Sequence, residues 1–295
     1  EFIISDSYWE RSLHFDFKGN AWDLWKSNEI KQWIDDKFSS IDAESIFVSD
    51  DMNWRDQVLR HYLNGKRKNL IEDGLGSYYC SQLTTKQFLF RHAVLRTLLG
   101  NQMEHFGAVS QSAADNYFAV SQNAFPWIEN RTDLHIISAT LKTYITEIAS
   151  RDDNHFEKAD LYLLTQPFCE SDILTKDQDL DQHRLLAGQF RDAKSVYIKK
   201  HPREKDELFN ARVKAITTAL PNAAIVSSSS QIPAELLAIH ALPNAKVASF
   251  ISTALVNIKF LRDDLSVYFC PISENSTISS LFSNLGIQQI YKEKS

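Results

Sequence analysis

Cysteine is scarce in this chain: 295 residues hold three, Cys80, Cys169 and Cys270. They are far apart, form no CxxC pair and are odd in number, which excludes a disulfide framework or a zinc knuckle and points to a reducing compartment. A basic excess is also lacking. With 32 Lys and Arg against 38 Asp and Glu, the net charge is −6, so the broad basic face that grips a phosphate backbone is not expected, and neither is a nucleic-acid partner. The longest apolar run, Ala245 to Leu261, is interrupted by Lys246, Ser249, Asn257 and Lys259, and is therefore no bilayer span. Nine histidines show no metal-binding spacing such as HExxH. No internal repeat or low-complexity tract is present, the run Ser227 to Ser230 being too short to count. The chain opens on Glu1 with no readable secretory leader and is expected to be a trimmed form.

What is present describes a soluble globular protein: 43% hydrophobic, 12% aromatic and 24% charged residues, over a length that suits two domains. In the first part, β-rich runs alternate with amphipathic patterns. "EFIIS", "ESIFVSD" and "KNLIEDG" read as strands, "NEIKQWIDDKF" and "WRDQVLRHYL" as helices. From Thr84 to Glu147 the pattern is mostly helical, broken at "NAFPWIENRTD" by Pro126 and an Asn/Asp cluster. A second alternation follows, with strands "ADLYLLTQP", "SVYIKKHP", "NAAIVSSS" and "AKVASFIS", helices "DQHRLLAGQFRDA", "ELFNARVKAITTAL" and "IPAELLAIHAL", and a helix or strand through "TALVNIKFL". This is the signature of an α/β protein with parallel sheets, built as two Rossmann-like halves joined near residues 150–158.

Four strand ends finish in chemically distinct groups: Glu72-Asp73-Gly74, Thr165-Gln166-Pro167, Lys200-His201-Pro202, and Ser249 with Ser252-Thr253. In parallel sheets such ends share a crevice, so a carboxylate, an imidazole, an ammonium and hydroxyls would converge there. The set reads as group transfer from a nucleotide-activated donor. A carboxylate takes a proton from an acceptor hydroxyl, while Lys200, His201 and the hydroxyls neutralise a departing phosphate.

The ordered series of "EDG", then "HP" some 130 residues on, then "SFISTAL" resembles the bacterial sialyltransferases of glycosyltransferase families 52 and 38. Those enzymes carry an acidic pair before glycine, an HP motif and a C-terminal Ser/Thr motif; the likeness runs from about residue 69 to about residue 256. It implies a GT-B fold, two Rossmann-like domains facing each other across a cleft, here residues 1–155 on the acceptor side with a helical insertion and 156–295 on the CMP-sugar side. The first βα unit is expected upstream of "EFIIS". It further implies inverting transfer of sialic acid from CMP-sialic acid to a hydroxyl of a cell-surface glycan, of lipooligosaccharide or capsule type. By position, Glu72 or Asp73 would be the general base, and His201, with Lys200 and Pro202 beside it, would meet the CMP phosphate. Ser252 and Thr253 would hydrogen-bond that phosphate, Glu235 of "IPAE" would lie near the ribose, and Gln166 would join the donor set. No metal or other cofactor is implied, since a single phosphate leaves and protein groups carry its charge. The expected place is cytoplasmic, with a peripheral position at the inner membrane face as a further implication of the family.

Plainer readings stand beside these. Ser252-Thr253 serves equally as the N-cap of a helix starting at Ala254. The alternating Asp177, Asp179 and Asp181 imitate a metal-binding DxD but read as a cap and a solvated face. Lys199-Lys200, Arg203 and Lys205 are either a solubilising surface or a positive lip. Trp9, Trp22, Trp25, Trp33 and Trp54 read as core. Among functions, the alternatives are a transferase for another CMP-activated nonulosonic acid or Kdo, and a non-catalytic nucleotide-binding protein, which "EDG" disfavours. Polysialic-acid synthesis is disfavoured by the −6 balance, which leaves only local clusters at Lys66-Arg67-Lys68 and Lys199-Lys200.

Overall fold

In Leu161-Tyr162-Leu163-Leu164 all four side chains are buried, the pattern of a parallel strand covered on both faces. That strand is the centre of the larger of two sheets in the computed structural model, which describes residues 32, 36, 44–48, 66–72, 74–78, 93, 114–126, 128, 131–151, 157–228, 233–272 and 276–290. The strand read in "EFIIS", nearly all of the two helices read in "NEIKQWIDDKF" and "WRDQVLRHYL", the five N-terminal tryptophans and Asp73 lie outside the described residues. The chain divides into two compact units, Glu1–Ile46 with Asp51–Arg67 and Gln82–Ser112, and Phe47–Asp50 with Lys68–Ser81 and Ala113–Ser295. The described residues belong almost wholly to the second.

The smaller sheet has four strands in the order β1 (Ser45–Val48), β2 (Arg67–Ile71), β3 (Asn116–Ala119) and β4 (Leu134–Ile136). β2, β3 and β4 pair in parallel, with Leu70 opposite Tyr117 and Tyr117 opposite Leu134. β1 and β2 are where "ESIFVSD" and "KNLIEDG" place them. Within Thr84 to Glu147, read as mostly helical, residues 84–92 and 94–113 lie outside the described residues, and β3 and β4 are strands instead. Each has four residues or fewer, too short for a period-two pattern to register, and it is pairing with β2 that makes β3 a strand. Helix α1 (Ser138–Arg151) follows directly.

The larger sheet alternates strand and helix throughout: β5 (Leu161–Leu164), α2 (Lys176–Gly188), β6 (Ser195–Lys199), α3 (Asp206–Ala219), β7 (Ala224–Ser228), α4 (Ala234–His240), β8 (Lys246–Ser249), α5 (Thr253–Leu261), β9 (Ser266–Phe269), α6 (Ser276–Asn284) and β10 (Gln288–Gln289). The strand order is β7-β6-β5-β8-β9-β10, all pairs parallel. In local numbering this is 3-2-1-4-5-6, the doubly wound arrangement in which the chain reverses direction between its first and fourth strands. The reversal falls between β5 and β8, and the crevice beyond their carboxyl ends is where such sheets bind ligands. The segment "TALVNIKFL", open as helix or strand in the sequence, is helix α5, which buries Leu255, Val256, Ile258 and Leu261.

Helices α2 and α3 pack on each other, and α1, α4 and α5 form a second group. Under α2 and α3 lies a core of Leu161, Leu163, Val196, Ile198, Phe168, Phe190, Phe209, Ile216 and Phe250. The start of α2 is set by a capping box: Thr175 Oγ1 accepts the Gln178 amide, and the Gln178 side chain accepts the Thr175 amide. At the switch point the fully buried Ser249 hydroxyl donates to the Leu164 carbonyl at 2.8 Å, tying the end of β8 to the end of β5.

Candidate active site

Glu72 follows the last residue of β2, and its carboxylate is held on both oxygens. Oε1 accepts the Tyr78 hydroxyl at 2.8 Å and Oε2 accepts the Val120 amide at 2.7 Å. Tyr78 closes the 3₁₀ turn Gly74–Tyr78, and Val120 follows β3, so one side chain gathers the carboxyl ends of two neighbouring strands. Burial raises the Glu72 carboxyl above its ordinary range, with the Val120, Tyr78 and Ser121 bonds opposing it only in part. The Tyr78 phenol is likewise pushed up, by burial and by the nearby Glu72 charge, and stays a donor. A half-buried glutamate with an elevated pKa is well matched to taking a proton near neutral pH.

Gly74 then turns the chain with φ +73°, a conformation that costs an L side chain energy and glycine little. It has a second reason to be glycine. A Cβ built there would overlap Thr253 Oγ1 and stand 3.2 Å from Thr253 Cγ2. The glycine of the acidic motif is therefore packed directly on the threonine of the hydroxyl motif, across some 180 residues of sequence. Thr253 is the first residue of α5, and Ser252 is its N-cap; the helix begins one residue earlier than the Ala254 expected from the sequence. The Ser252 side chain makes no capping bond, so the cap reading accounts for its position but not for its hydroxyl.

The donor-side residues take their places around the β5/β8 reversal. Gln166 follows β5 and is half-buried; Ser252 and Thr253 follow β8; His201 and the exposed Pro202 follow β6, the strand next to β5. His201 Nδ1 accepts the Arg203 amide at 3.1 Å, which leaves the ring proton on Nε2 as a donor. Burial, then the Arg203 and Lys199 charges, hold the imidazole below its usual pKa and favour this neutral form. Lys200 Nζ is engaged by Asp206 Oδ1 at 2.5 Å. Its neighbour Lys199, on the opposite face of β6, is buried and pushed down to about 8, with the Glu204 and Glu235 charges opposing the burial. Glu235, in the first turn of α4, accepts the Asn257 side-chain amide of α5 at 2.8 Å.

Beneath these loops lies a network that the motif reading does not include. Arg212 of α3 is fully buried and grips Glu170 through two bonds, Nη1 to Oε1 at 3.1 Å and Nη2 to Oε2 at 2.7 Å. It also binds Asp179 of α2, with Nε to Oδ2 at 3.0 Å, and lies 3.3 Å from Glu204 Oε1. His183 Nδ1 donates to the Asp179 backbone carbonyl at 2.9 Å and stands 3.0 Å from Asp179 Oδ1, and His183 Nε2 accepts the Gln166 amide at 3.5 Å. Burial by itself would raise the Asp179 carboxyl; the His183 and Arg212 hydrogen bonds outweigh it and hold the carboxyl below its usual range. The sequence does carry a signal for this cluster. Phe209, Arg212 and Ile216 recur at helical spacing on the buried face of α3, so the arginine sits where an apolar residue belongs.

Two side-chain expectations change accordingly. Asp179 is 1% exposed, so it is no part of a solvated face; only Asp177 and Asp181 are, Asp181 pairing with Arg184 at 2.6 Å. Ser249 has its hydroxyl committed to Leu164 and does not present it to the crevice. Among the described residues no three His, Cys, Asp or Glu side chains gather as a metal-holding group, and no helix is long and apolar enough to cross a membrane.

No curated protein matches the chain. The family described as Alpha-2,8-polysialyltransferase (POLYST) matches it over residues 24–271, a span containing the acidic, HP and Ser/Thr motifs alike. Net charge had pointed away from polysialic acid, yet this is the family named for it; a whole-chain sum does not report a local groove. A match over most of the chain places this protein in the alpha-2,8-polysialyltransferase family, as a CMP-sialic-acid-dependent sialyltransferase that takes a CMP-sugar donor and a glycan acceptor.

Proposed function

We propose that the protein transfers sialic acid, with inversion, from CMP-sialic acid to a hydroxyl of a cell-surface glycan whose terminal residue is itself sialic acid, forming an α2,8 bond. The packing of Gly74 on Thr253 carries this reading, because it sets the acidic motif beside the start of α5 at the sheet reversal. Glu72 or Asp73 takes the acceptor hydroxyl proton as that oxygen bonds to the anomeric carbon. The bond from that carbon to the phosphate oxygen breaks, and CMP leaves with the electron pair.

The leaving phosphate meets the first amides of α5, the Ser252 and Thr253 hydroxyls, and the Nε2 proton of His201, with Lys200 and Pro202 alongside. Gln166 and Glu235 hold the nucleotide, Glu235 at the ribose. Protein donors then supply the charge stabilisation that a metal supplies elsewhere, so no cofactor is required. The reading includes a GT-B arrangement, a cytoplasmic location where the CMP-activated donor is made, and peripheral contact with the inner membrane face where lipid-linked acceptors are built.

The test is direct. Purified protein is incubated with radiolabelled CMP-sialic acid and either an α2,8-disialylated or a lactose-terminated acceptor, with and without EDTA. Label should pass to the sialylated acceptor at a rate EDTA leaves unchanged. Transfer to lactose alone would overturn the acceptor assignment, and strict metal dependence would overturn the metal-free cradle. A preference for CMP-Kdo or another CMP-activated nonulosonic acid would overturn the donor assignment.

A further inference from the structure

The HP loop closes on itself, the Glu204 amide donating to the His201 carbonyl at 3.0 Å and the Arg203 amide to His201 Nδ1 at 3.1 Å, and is then tied to the neighbouring strand. His201 leaves β6 as part of an exposed turn with Pro202 and Arg203, yet its backbone amide points inward to Glu204 Oε2 at 3.2 Å. The same oxygen accepts the Thr165 hydroxyl at 2.7 Å, and Thr165 immediately precedes Gln166 at the end of β5. The Thr165 backbone amide donates to the carbonyl of Lys199, the last residue of β6, at 3.1 Å. Glu204 is 5% exposed, and its other oxygen faces the buried Arg212 guanidinium at 3.3 Å. A buried carboxylate held on one side by Arg212 and on the other by two loops is fixed in place, because moving it would strip it of its counter-charge and its hydrogen-bond donors.

We propose that Glu204 is a positioning residue for donor binding, fixing the His201 amide and the Thr165-Gln166 turn together so that the imidazole and the β5/β8 crevice present one geometry to the CMP phosphate. This rests on the assignment of His201 to that phosphate. Three carboxylates tie two loops to one guanidinium: Glu170 accepts the Lys205 amide at 3.0 Å, Asp179 is linked to Gln166 through His183, and Glu204 reaches His201. Glu204 is the arm that touches the HP motif directly. It contacts no substrate in this role and acts only through the loops it holds.

A double-mutant cycle tests it, with kcat/KM for CMP-sialic acid and the KM against kcat split as readouts, and thermal unfolding as a control. Glu204→Gln preserves shape but turns an amide toward Arg212 Nη1, so the carboxamide cannot satisfy both sides. Expected is a loss of roughly tenfold in kcat/KM, carried mainly by KM, which shrinks to less than about twofold in a His201→Ala background. A residue that merely stabilised the fold would lower the unfolding temperature and leave the kinetics of the folded enzyme alone. If the Glu204→Gln loss is the same in both backgrounds, or absent in both, the positioning role is overturned. If His201→Ala itself turns over normally, the phosphate assignment fails instead, and the two failures are told apart. Should Glu204→Gln not fold, Thr165→Val, which removes a hydroxyl from the same carboxylate oxygen, is read through the same cycle with the same criteria.

Discussion

Glu72 and Asp73 are adjacent, and the proposed base is one of the two. Glu72 has both oxygens occupied by Tyr78 and Val120, but each oxygen retains a lone pair, and burial has already raised its affinity for a proton. Glu72→Gln is expected to lose roughly 10²-fold in kcat, the scale of a missing general base, with CMP affinity nearly unchanged. Asp73→Asn should be milder. Comparable rates for both variants and the parent would remove the acidic motif from the chemistry. The raised pKa also has a sign that can be checked. With Glu72 as the proposed base, activity needs the deprotonated form, so the acid limb of kcat/KM should lie above about 4.3, the ordinary glutamate value. Stability runs both ways. A raised Glu72 contributes stability below that value and loses it as pH rises through its folded pKa. Asp179 and Glu170, held low, contribute stability that is lost as pH falls through theirs. Circular dichroism across the acid range therefore separates titration of the base from unfolding. His201→Ala should cost on the order of 10²–10³ in kcat, the effect of removing a preorganised donor to developing charge.

Among the elements, α5 meets the acidic motif at Gly74 and carries the clearest contrast. Gly74→Ala forces a side chain into the left-handed region and into Thr253, so a loss of about 1–3 kcal/mol in stability is expected, together with a fall in turnover as Thr253 is displaced. Ser252→Ala should behave oppositely. A bonded N-cap is worth about 1 kcal/mol, but this hydroxyl makes no capping bond, so the unfolding temperature should barely move while KM for CMP-sialic acid rises. A clear stability loss in Ser252→Ala, with unchanged kinetics, would return the residue to a capping role. At this scale the sequence was legible where periodicity is strong. The strands β5 to β8 and the helices α2 and α3 are visible as continuous apolar runs and 3.6-residue stripes. β3 and β4 were not, because the strand character of β3 comes from pairing with β2, and that of β4 from pairing with β3, rather than from their own few residues. The motifs mark strand ends correctly for Glu72, Gln166 and His201, and a helix start for Thr253. The Arg212 network escapes because hydrogen-bond partners far apart in sequence leave only a polar residue on an apolar stripe as their trace.

Over the whole molecule, the question is how a chain of net charge −6 would handle the proposed sialylated acceptor, itself an anion. An enzyme that held a long polysialic chain would need an extended basic track, and its acceptor affinity would fall steeply with salt as screening weakened that contact. Among the described residues the cluster at the end of β6 does not supply one: Lys199 is buried and Lys200 is paired with Asp206, leaving Arg203 and Lys205 exposed there. The expected outcome is that recognition is confined to the acceptor's terminal residues. With α2,8-linked acceptors of increasing length, kcat/KM should rise over the first few sugars and then level off, and added salt should change KM only weakly, since repulsion from the net charge and attraction to a small patch are screened together. A kcat/KM that keeps climbing with chain length and collapses with salt would reveal a continuous basic groove, and the short-acceptor reading would fail on that curve.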